Sequence, residues 1–120
     1  MLKVIIAKFF GIYNGEEPTY GDLFSKAKEE AGKLYAHIKN DEEIASCLTA
    51  MRMMAPLYEL YDMVEYTGKY TDKKKSKMEN ELRSVIDDAI HKGLFDGKKC
   101  TVKEFASAGI ELDAVQLMLI

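Results

Sequence analysis

The sequence predicts an all-α protein: a compact bundle of five or six helices with a central, Pro-kinked third helix. Apolar residues recur at intervals of three and four along most of the chain, the spacing of one face of an α-helix. Residues suited to cap a helix N-terminus precede several of these apolar runs. Strong helix breakers are few, with 2 prolines and 8 glycines. A chain of 120 residues is most simply a single domain, 1–120.

The first element is predicted to be a short helix. Leu2, Ile5, Ile6 and Phe9 fall on one helical face. The same stretch is apolar enough to pair as a short β segment, so a strand over residues 2–10 remains the alternative. The sequence NGEEP that follows predicts a turn at 14–18.

The second and third helices are predicted to begin at capping residues. Thr19 stands three residues before Asp22, and Asn40 stands three residues before Glu43. In this pattern the side chain of the cap accepts a hydrogen bond from a backbone N–H of the first turn. An acidic side chain at the third helical position accepts a hydrogen bond from the backbone N–H of the cap. The second helix then carries one apolar stripe, which consists of Tyr20, Leu23, Ala27, Ala31, Leu34 and Ile38.

The third helix, predicted over roughly 41–66, is apolar on two sides. One side consists of Ile44, Leu48, Met51, Ala55 and Tyr58, and another consists of Ala50, Met53, Leu57, Leu60 and Val64. A helix that is apolar over so much of its surface is typically central and packs on several neighbours. We expect Pro56 to kink it, because its ring clashes with the preceding turn and it lacks an N–H.

The fourth helix is predicted to begin at Ser76, with Glu79 three residues later. Lysines immediately precede Ser76, and a positive charge in the first turn would oppose the helix dipole, which favours a start after them. The apolar stripe consists of Met78, Leu82, Val85, Ile86 and Ala89. Gly93 is predicted to end the helix.

The last residues, TVKEFASAGIELDAVQLMLI at 101–120, resemble a helix-turn-helix. With Gly109 at the turn, apolar residues fall where the two helices must hold together. The stretch departs from the motif at Phe105, where close helix approach needs a small side chain, and its would-be recognition helix starts with Glu111 and Asp113. A pair of capped helices that closes the core or offers apolar residues to a partner is therefore favoured over a DNA reader.

Composition and charge narrow the classes of function. The net charge of −3 gives no bulk attraction to nucleic acid or anionic lipid. The apolar start of the chain is interrupted by Lys8, lacks a cleavage site and is too short to span a membrane, so we predict a cytoplasmic protein without membrane contact. Cys47 and Cys100 do not form a Cys-x-x-Cys pair; one disulfide between them is possible, but two reduced, buried thiols are favoured. Cys47 falls on a predicted buried helix face and is interpreted as an inert core thiol.

No motif typical of catalysis occurs, so we predict that the protein is not an enzyme and takes no cofactor. The sequence has neither a nucleophile elbow nor a Gly-rich phosphate loop. Asp87 and His91 stand four residues apart and could supply two metal ligands, but a zinc site needs a third or fourth. We interpret them as a surface ion pair and predict no metal site.

The main functional hypothesis is a small regulatory module that binds another protein, or a second copy of itself, through an apolar Met/Tyr surface. The residues predicted to form this surface are Met53, Leu60, Tyr61 and Met63. Methionine adapts to irregular partners, and tyrosine combines a large contact area with a polar tip. The prediction requires these side chains to be exposed, because a core residue cannot contact a partner.

The alternative hypothesis is a nucleic-acid-associated regulator that uses the basic run Lys69–Lys77 and the helix-turn-helix-like C-terminus. The candidate contacts are Lys73, Lys74, Lys75 and Lys77. Lysines could hold phosphates while Tyr66 and Tyr70 stack on bases. The competing interpretation is a solvated loop, because Asp72 and Glu79 dilute the positive charge.

Overall fold

Four α-helices form the described part of the chain, which in this computed structural model comprises residues 2–33 and 40–94. The helices are α1 (Leu2–Phe9), α2 (Tyr20–Gly32), α3 (Asp41–Leu60) and α4 (Asp72–His91), and a π-helical turn, Tyr61–Tyr66, continues α3. These residues contain no strand, so the predicted all-α class is confirmed for them. The helix-turn-helix-like stretch at 101–120 and the residues Leu34, Ile38 and Cys100 lie outside the described residues.

The first element is a helix and not a strand, as the apolar spacing predicted. Leu2, Ile5 and Ile6 are buried against the rest of the bundle. The helix ends at Phe9, and the chain turns at Gly11, whose φ of 72° lies in the left-handed region. The N–H groups of Gly11 and Ile12 donate to the last carbonyls of the helix at 3.1 and 2.9 Å, so the chain reverses without leaving those carbonyls unpaired.

The predicted capping box at the start of α2 is present. Asp22 donates its N–H to Thr19 Oγ1 at 3.1 Å, and Thr19 donates its N–H to Asp22 Oδ2 at 3.3 Å. The two intervening N–H groups, those of Tyr20 and Gly21, donate to the carboxylate of Glu65 at 2.7 and 2.9 Å. Every N–H at this helix start therefore has an acceptor, which isolated helix ends lack.

The third helix begins at its predicted cap, because the N–H of Glu43 donates to Asn40 Oδ1 at 2.8 Å. It passes through Pro56 and ends at Leu60; the kink at Pro56 stays a prediction. Beyond it the backbone widens into the π-helical turn, in which the Thr67 N–H reaches back five residues to the Asp62 carbonyl at 2.7 Å. Both α2 and α4 pack against α3, which places it at the centre of the described bundle.

The predicted start of α4 at Ser76 is wrong. Thr71 is the cap and accepts the Lys74 N–H at 3.1 Å, so the helix begins four residues earlier, at Asp72. The lysines in its first turns are largely solvated, so the unfavourable interaction between their charges and the helix dipole is small. The negative charge of Asp72 in the first turn offsets part of that interaction. The end of α4 is as predicted: Gly93 has φ 73°, and the Leu94 N–H donates to the Ala89 carbonyl at 2.9 Å.

The core lies where the inner faces of the four helices meet. Its largest fully buried side chains are Ile5, Ile6, Leu23, Met53, Leu57, Leu60, Leu82 and Ile86. The predicted apolar stripe of α4 supplies Leu82, Val85, Ile86 and Ala89, and that of α2 supplies Tyr20, Leu23, Ala27 and Ala31. Within residues 2–33 and 40–94, no helix is both long enough and apolar enough to cross a membrane.

Candidate protein-binding surface

The side chains predicted to bind a partner belong mainly to the core. Met53 and Leu60 have no exposed surface and Met63 has 2%. Tyr61 is half-buried and packs over Gly21, with a ring carbon only 3.0 Å from where a Cβ on that glycine would lie. The exposure that this prediction requires is therefore contradicted, because α2 and α4 close over the Met53 side of α3.

The opposite side of α3 carries an exposed apolar stripe. It consists of Ile44, Leu48, Met51, Ala55 and Tyr58, which we term the outer stripe. Its large side chains are 38% (Ile44), 47% (Leu48), 41% (Met51) and 50% (Tyr58) exposed. These are among the few large apolar side chains exposed in the described residues, and they share one helix face. Contiguous apolar surface of this kind is typical of interaction sites.

The spacing within the outer stripe is four, three, four and three residues. This alternation is the a/d pattern of a helix that packs along its length against another helix. The stripe runs over about 21 Å, at 1.5 Å per residue. The sequence predicted that these residues share one side of α3, but that side was expected to pack on neighbouring helices. The 3.5-residue repeat is the sequence signal that sets this side of α3 apart from the core side.

The C-terminal end of the outer stripe joins a row of aromatic rings. Tyr58 meets Phe24 of α2 edge to face, with ring centroids 5.4 Å apart, and lies 6.3 Å from Tyr61. Tyr61 in turn stacks on Tyr66 at 6.2 Å. Tyr66 is 73% exposed, so the row continues to the surface of the π-helical turn. Tyrosine-rich surfaces are favoured in protein recognition.

A charged cluster flanks the outer stripe on the α4 side. Arg52 donates to Asp88 Oδ2 at 2.6 Å, and Lys92 lies 2.9 Å from the same oxygen. Lys92 and Arg52 together hold the pKa of the Asp88 carboxyl below its usual range. Asp88 therefore stays ionised at neutral pH, and this edge of the stripe keeps a polar, hydrated border.

Charged side chains lie at both ends of α3. The first turn of α3 contains three consecutive acids, Asp41 to Glu43, and the exposed side chains of Glu42 and Glu43 line a cleft toward α1 and α2. At the other end, Lys74 Nζ of α4 lies 4.0 Å from Glu59 Oε2, so the lysine nearest the end of the stripe already has an acidic neighbour.

Lys73, Lys74, Lys75 and Lys77 of the basic run lie in the first turns of α4, whereas Lys69 lies in the segment that precedes the helix. Lys73, Lys74 and Lys77 are exposed, whereas Lys75 is half-buried. The Lys75 ammonium lies 3.8 Å from Glu79 Oε1 and 5.9 Å from the centre of the Tyr70 ring. Lys74 and Lys75 therefore already have acidic neighbours, which reduces the positive field that this segment presents.

A cleft of about 660 Å³ lies at the acidic end of α3, between the ends of α1 and α2. Phe9, Phe10, Leu94 and Cys47 contribute apolar walls, and Glu30 contributes a carboxylate. Cys47 itself is 4% exposed, and burial raises the pKa of its thiol. The thiol is therefore protonated at neutral pH and agrees with the predicted inert core cysteine.

Asp87 and His91 lie at the distance of the predicted surface ion pair, which forms when the imidazole is protonated. His91 Nδ1 lies 2.8 Å from the Asp87 carbonyl oxygen and 3.4 Å from its Oδ1. In the part of the chain that the structure describes, no three His, Cys, Asp or Glu side chains gather closely enough to hold a metal ion.

Comparison of the chain with protein-family models, with curated proteins and with solved structures finds no match in any of the three. The functional argument therefore depends on the geometry and chemistry of the surface itself.

Proposed function

We propose that this protein is a small, non-catalytic protein-binding module that acts through the outer stripe of α3. The observation that carries the proposal is the a/d spacing of exposed apolar side chains along one helix. An apolar stripe of this length in water costs free energy that a packed partner would recover. The proposal keeps the function expected from the sequence but transfers it from the Met53 side of α3 to the Leu48 side.

Several features support a macromolecular partner over a small ligand. The outer stripe runs along the exposed face of one helix, whereas small-molecule sites are concave pockets. Its centre is apolar, its border carries the charged Arg52–Asp88–Lys92 cluster, and Tyr58 provides an aromatic anchor. An apolar centre with a polar rim is the usual anatomy of a protein–protein interface.

The test is a tagged pull-down with wild-type protein and two variants, followed by mass spectrometry. Leu48→Asp places a charge in the middle of the outer stripe, and Ile12→Asp places the same charge on a similarly exposed apolar residue elsewhere. We expect Leu48→Asp to lose the bound proteins and Ile12→Asp to retain them. Equal recovery by all three proteins would contradict the proposed surface.

A second candidate is nucleic-acid association through the start of α4. The observation that favours it is the exposure of Tyr66 and Tyr70 near Lys73, Lys74 and Lys77. Exposed aromatic rings beside lysines suit single-stranded nucleic acid. Nuclease treatment of the same pull-down separates the candidates, because recovery through nucleic acid would be lost. Such binding should also weaken steeply with added salt, whereas an apolar contact should not.

A further inference from the structure

We infer that Asn14 and Gly15 form a site of spontaneous chemical modification, at which the Asn14 amide is converted to aspartate and isoaspartate. The site lies in the loop between α1 and α2 and shares no residue with the outer stripe, so it is independent of the proposed function. Three observations carry the inference: the Asn-Gly pair itself, the exposure and hydrogen bonding of the loop, and the different surroundings of the other two asparagines.

The reaction needs only the chain and water, because asparagine is a chemically labile residue. The deprotonated backbone nitrogen of Gly15 attacks Cγ of Asn14, the Cγ–Nδ2 bond breaks, and a cyclic imide forms. The departing amide nitrogen takes up a proton and leaves as ammonia. Water then adds to one of the two imide carbonyls: opening at Cγ gives aspartate, and opening at the main-chain carbonyl gives isoaspartate. No group is oxidised or reduced.

Gly15 leaves the path to the attacking nitrogen open. It has no Cβ, whereas any other residue would place a side chain beside that nitrogen. Its φ is 96°, and a Cβ built on it would meet nothing within 4 Å, so no neighbouring group covers this position. Among the described residues, no group accepts a hydrogen bond from the Gly15 N–H. The attack therefore does not have to break a hydrogen bond within the protein first.

The Asn14 side chain is held beside the peptide bond that it would react with. Its Oδ1 accepts the Glu16 N–H at 3.1 Å, so the side chain folds back over its own backbone. The hydrogen bond also polarises the carbonyl whose carbon is attacked. When the nitrogen adds, negative charge develops on Oδ1, and the Glu16 N–H is placed to stabilise that charge. Asn14, Gly15 and Glu16 are all exposed, so water can reach the imide.

The other two asparagines of the chain lack this combination. Asn40 caps α3, where its Oδ1 accepts the Glu43 N–H at 2.8 Å. Asn80 lies within α4, and its Oδ1 accepts a hydrogen bond from Arg83 at 2.7 Å. Each is followed by an acidic residue instead of glycine, and the nitrogen that would attack belongs to a helix. Because the helix must open locally before an imide can form, both serve as internal controls.

Modification changes both the charge and the length of the loop. Either product adds one negative charge to the net charge of −3, next to the exposed acids Glu16 and Glu17. Isoaspartate also inserts a methylene group into the main chain between α1 and α2. Glu17 pairs with Lys3 of α1 at 3.2 Å, so the altered segment includes a contact between the loop and that helix. Aged protein should contain species of different charge that ion-exchange chromatography separates.

The experiment is incubation of the full chain at neutral and mildly alkaline pH, followed by tryptic digestion and mass spectrometry. Trypsin places the three asparagines on separate peptides, residues 9–26, 40–52 and 78–83. We expect Asn14 to lose its amide at least about tenfold faster than Asn40 and Asn80, which react only after local opening. The rate should rise with pH, because the attacking nitrogen must be deprotonated. Similar rates at all three asparagines would overturn the inference.

Two comparisons test the cause of the reaction. Gly15→Ala should slow the loss of the Asn14 amide roughly tenfold, because the added Cβ hinders the nitrogen. Equal rates in this variant and the wild type would overturn the role of the Gly15 nitrogen. The same pair compared in guanidinium chloride gives this result without dependence on the fold of the variant.

The second comparison is between folded and unfolded wild type. Because the loop is already exposed, Asn14 in the folded protein should react at no less than about a third of its rate in guanidinium chloride. A lower rate in the folded protein would show that the loop protects the amide and would overturn the inference.

Discussion

The carboxylate of Glu65 accepts the backbone N–H of Gly21 at 2.9 Å, so a residue of the π-helical turn completes the start of a helix 44 residues earlier in the chain. The same carboxylate accepts the Tyr20 N–H at 2.7 Å. An ionised side chain at a helix N-terminus also interacts favourably with the positive end of the helix dipole. These two hydrogen bonds connect the start of α2 to the π-helical turn after α3, in addition to the apolar contacts of the core.

Replacement of Glu65 with alanine should therefore destabilise the protein. Two N–H groups would lose an ionised acceptor, and we expect the free energy of unfolding to fall by about 2 kcal/mol. Glu65→Gln should cost less, because its amide oxygen can still accept a hydrogen bond. Urea denaturation followed by circular dichroism measures the difference. Glu81→Ala, at an exposed position on α4, is the control, and an equal loss in both alanine variants would contradict the capping role.

Alanine substitutions at Gly21 and Gly32 should have opposite effects. A Cβ on Gly21 would lie 3.0 Å from Tyr61 Cδ1, so the ring would have to move, whereas a Cβ on Gly32 would meet nothing within 4 Å. Alanine is favoured over glycine in helices by roughly 1 kcal/mol. We expect Gly32→Ala to raise the melting temperature and Gly21→Ala to lower it. An increase in both variants would show that the Tyr61 ring moves away without cost.

The corrected start of α4 predicts which hydroxyl is the cap. Thr71 accepts the Lys74 N–H, so Thr71→Ala should lower the free energy of unfolding by about 1 kcal/mol. Ser76 lies within the helix and is exposed, so Ser76→Ala should be neutral or slightly stabilising. Thermal denaturation of the two variants compares them directly. A larger loss of stability for Ser76→Ala than for Thr71→Ala would instead support the helix start at Ser76 that the sequence predicted.

Two methionines on opposite sides of α3 should respond differently to truncation. Met53 is fully buried, and its replacement with alanine should cost about 2–5 kcal/mol through lost burial and the cavity left behind. Met51 is 41% exposed in the outer stripe, and Met51→Ala should change the free energy of unfolding by less than about 0.5 kcal/mol. Urea denaturation of the isolated protein measures both costs. Similar costs at both positions would mean that the outer stripe is covered.

Acidification should destabilise the protein below about pH 5. Lys92 and Arg52 lower the pKa of Asp88, and Lys3 lowers that of Glu17. A carboxyl with a lowered pKa in the folded state contributes stability that is present above its unfolded value of about 4 and is lost as pH falls through the folded value. Melting temperatures should therefore decline from pH 5 to pH 3. Because both groups are exposed, Asp88→Asn should flatten the decline only slightly, and a steeper decline in this variant would contradict the assignment.

Local sequence signals predicted much of the described fold. The caps at Thr19 and Asn40 depend on residues three positions apart, and the stop at Gly93 depends on one residue, so both can be identified without the tertiary structure. Because α2 and α4 each carry only one apolar stripe, the sequence also predicted which face of each helix is buried. These predictions succeeded because the interactions that determine them lie within one or two helical turns.

The functional side of α3 could not be predicted in the same way. This helix is apolar on the side of Met53 and on the side of Leu48, and the two sides are similar in composition. The choice between them depends on where α2 and α4 pack, which is a long-range property. The contact between Glu65 and Tyr20 could not be predicted from the sequence either. It joins residues 45 positions apart and depends on the π-helical geometry of Tyr61–Tyr66.

The π-helical turn holds a residue that the helix could lose. A turn closed by five-residue hydrogen bonds holds one residue more than the α-helical turn beside it. If one residue between Leu60 and Glu65 were deleted and the backbone returned to α-helical spacing, Glu65 would follow Leu60 by four residues and would stay on nearly the same side of the axis, because four α-helical residues turn the chain by about 400°. Deletion of one residue in the regular part of α3 would instead rotate every later residue of that helix by about 100°. The helix can therefore shorten at this turn, and at no regular turn of α3, while Glu65 still faces the start of α2.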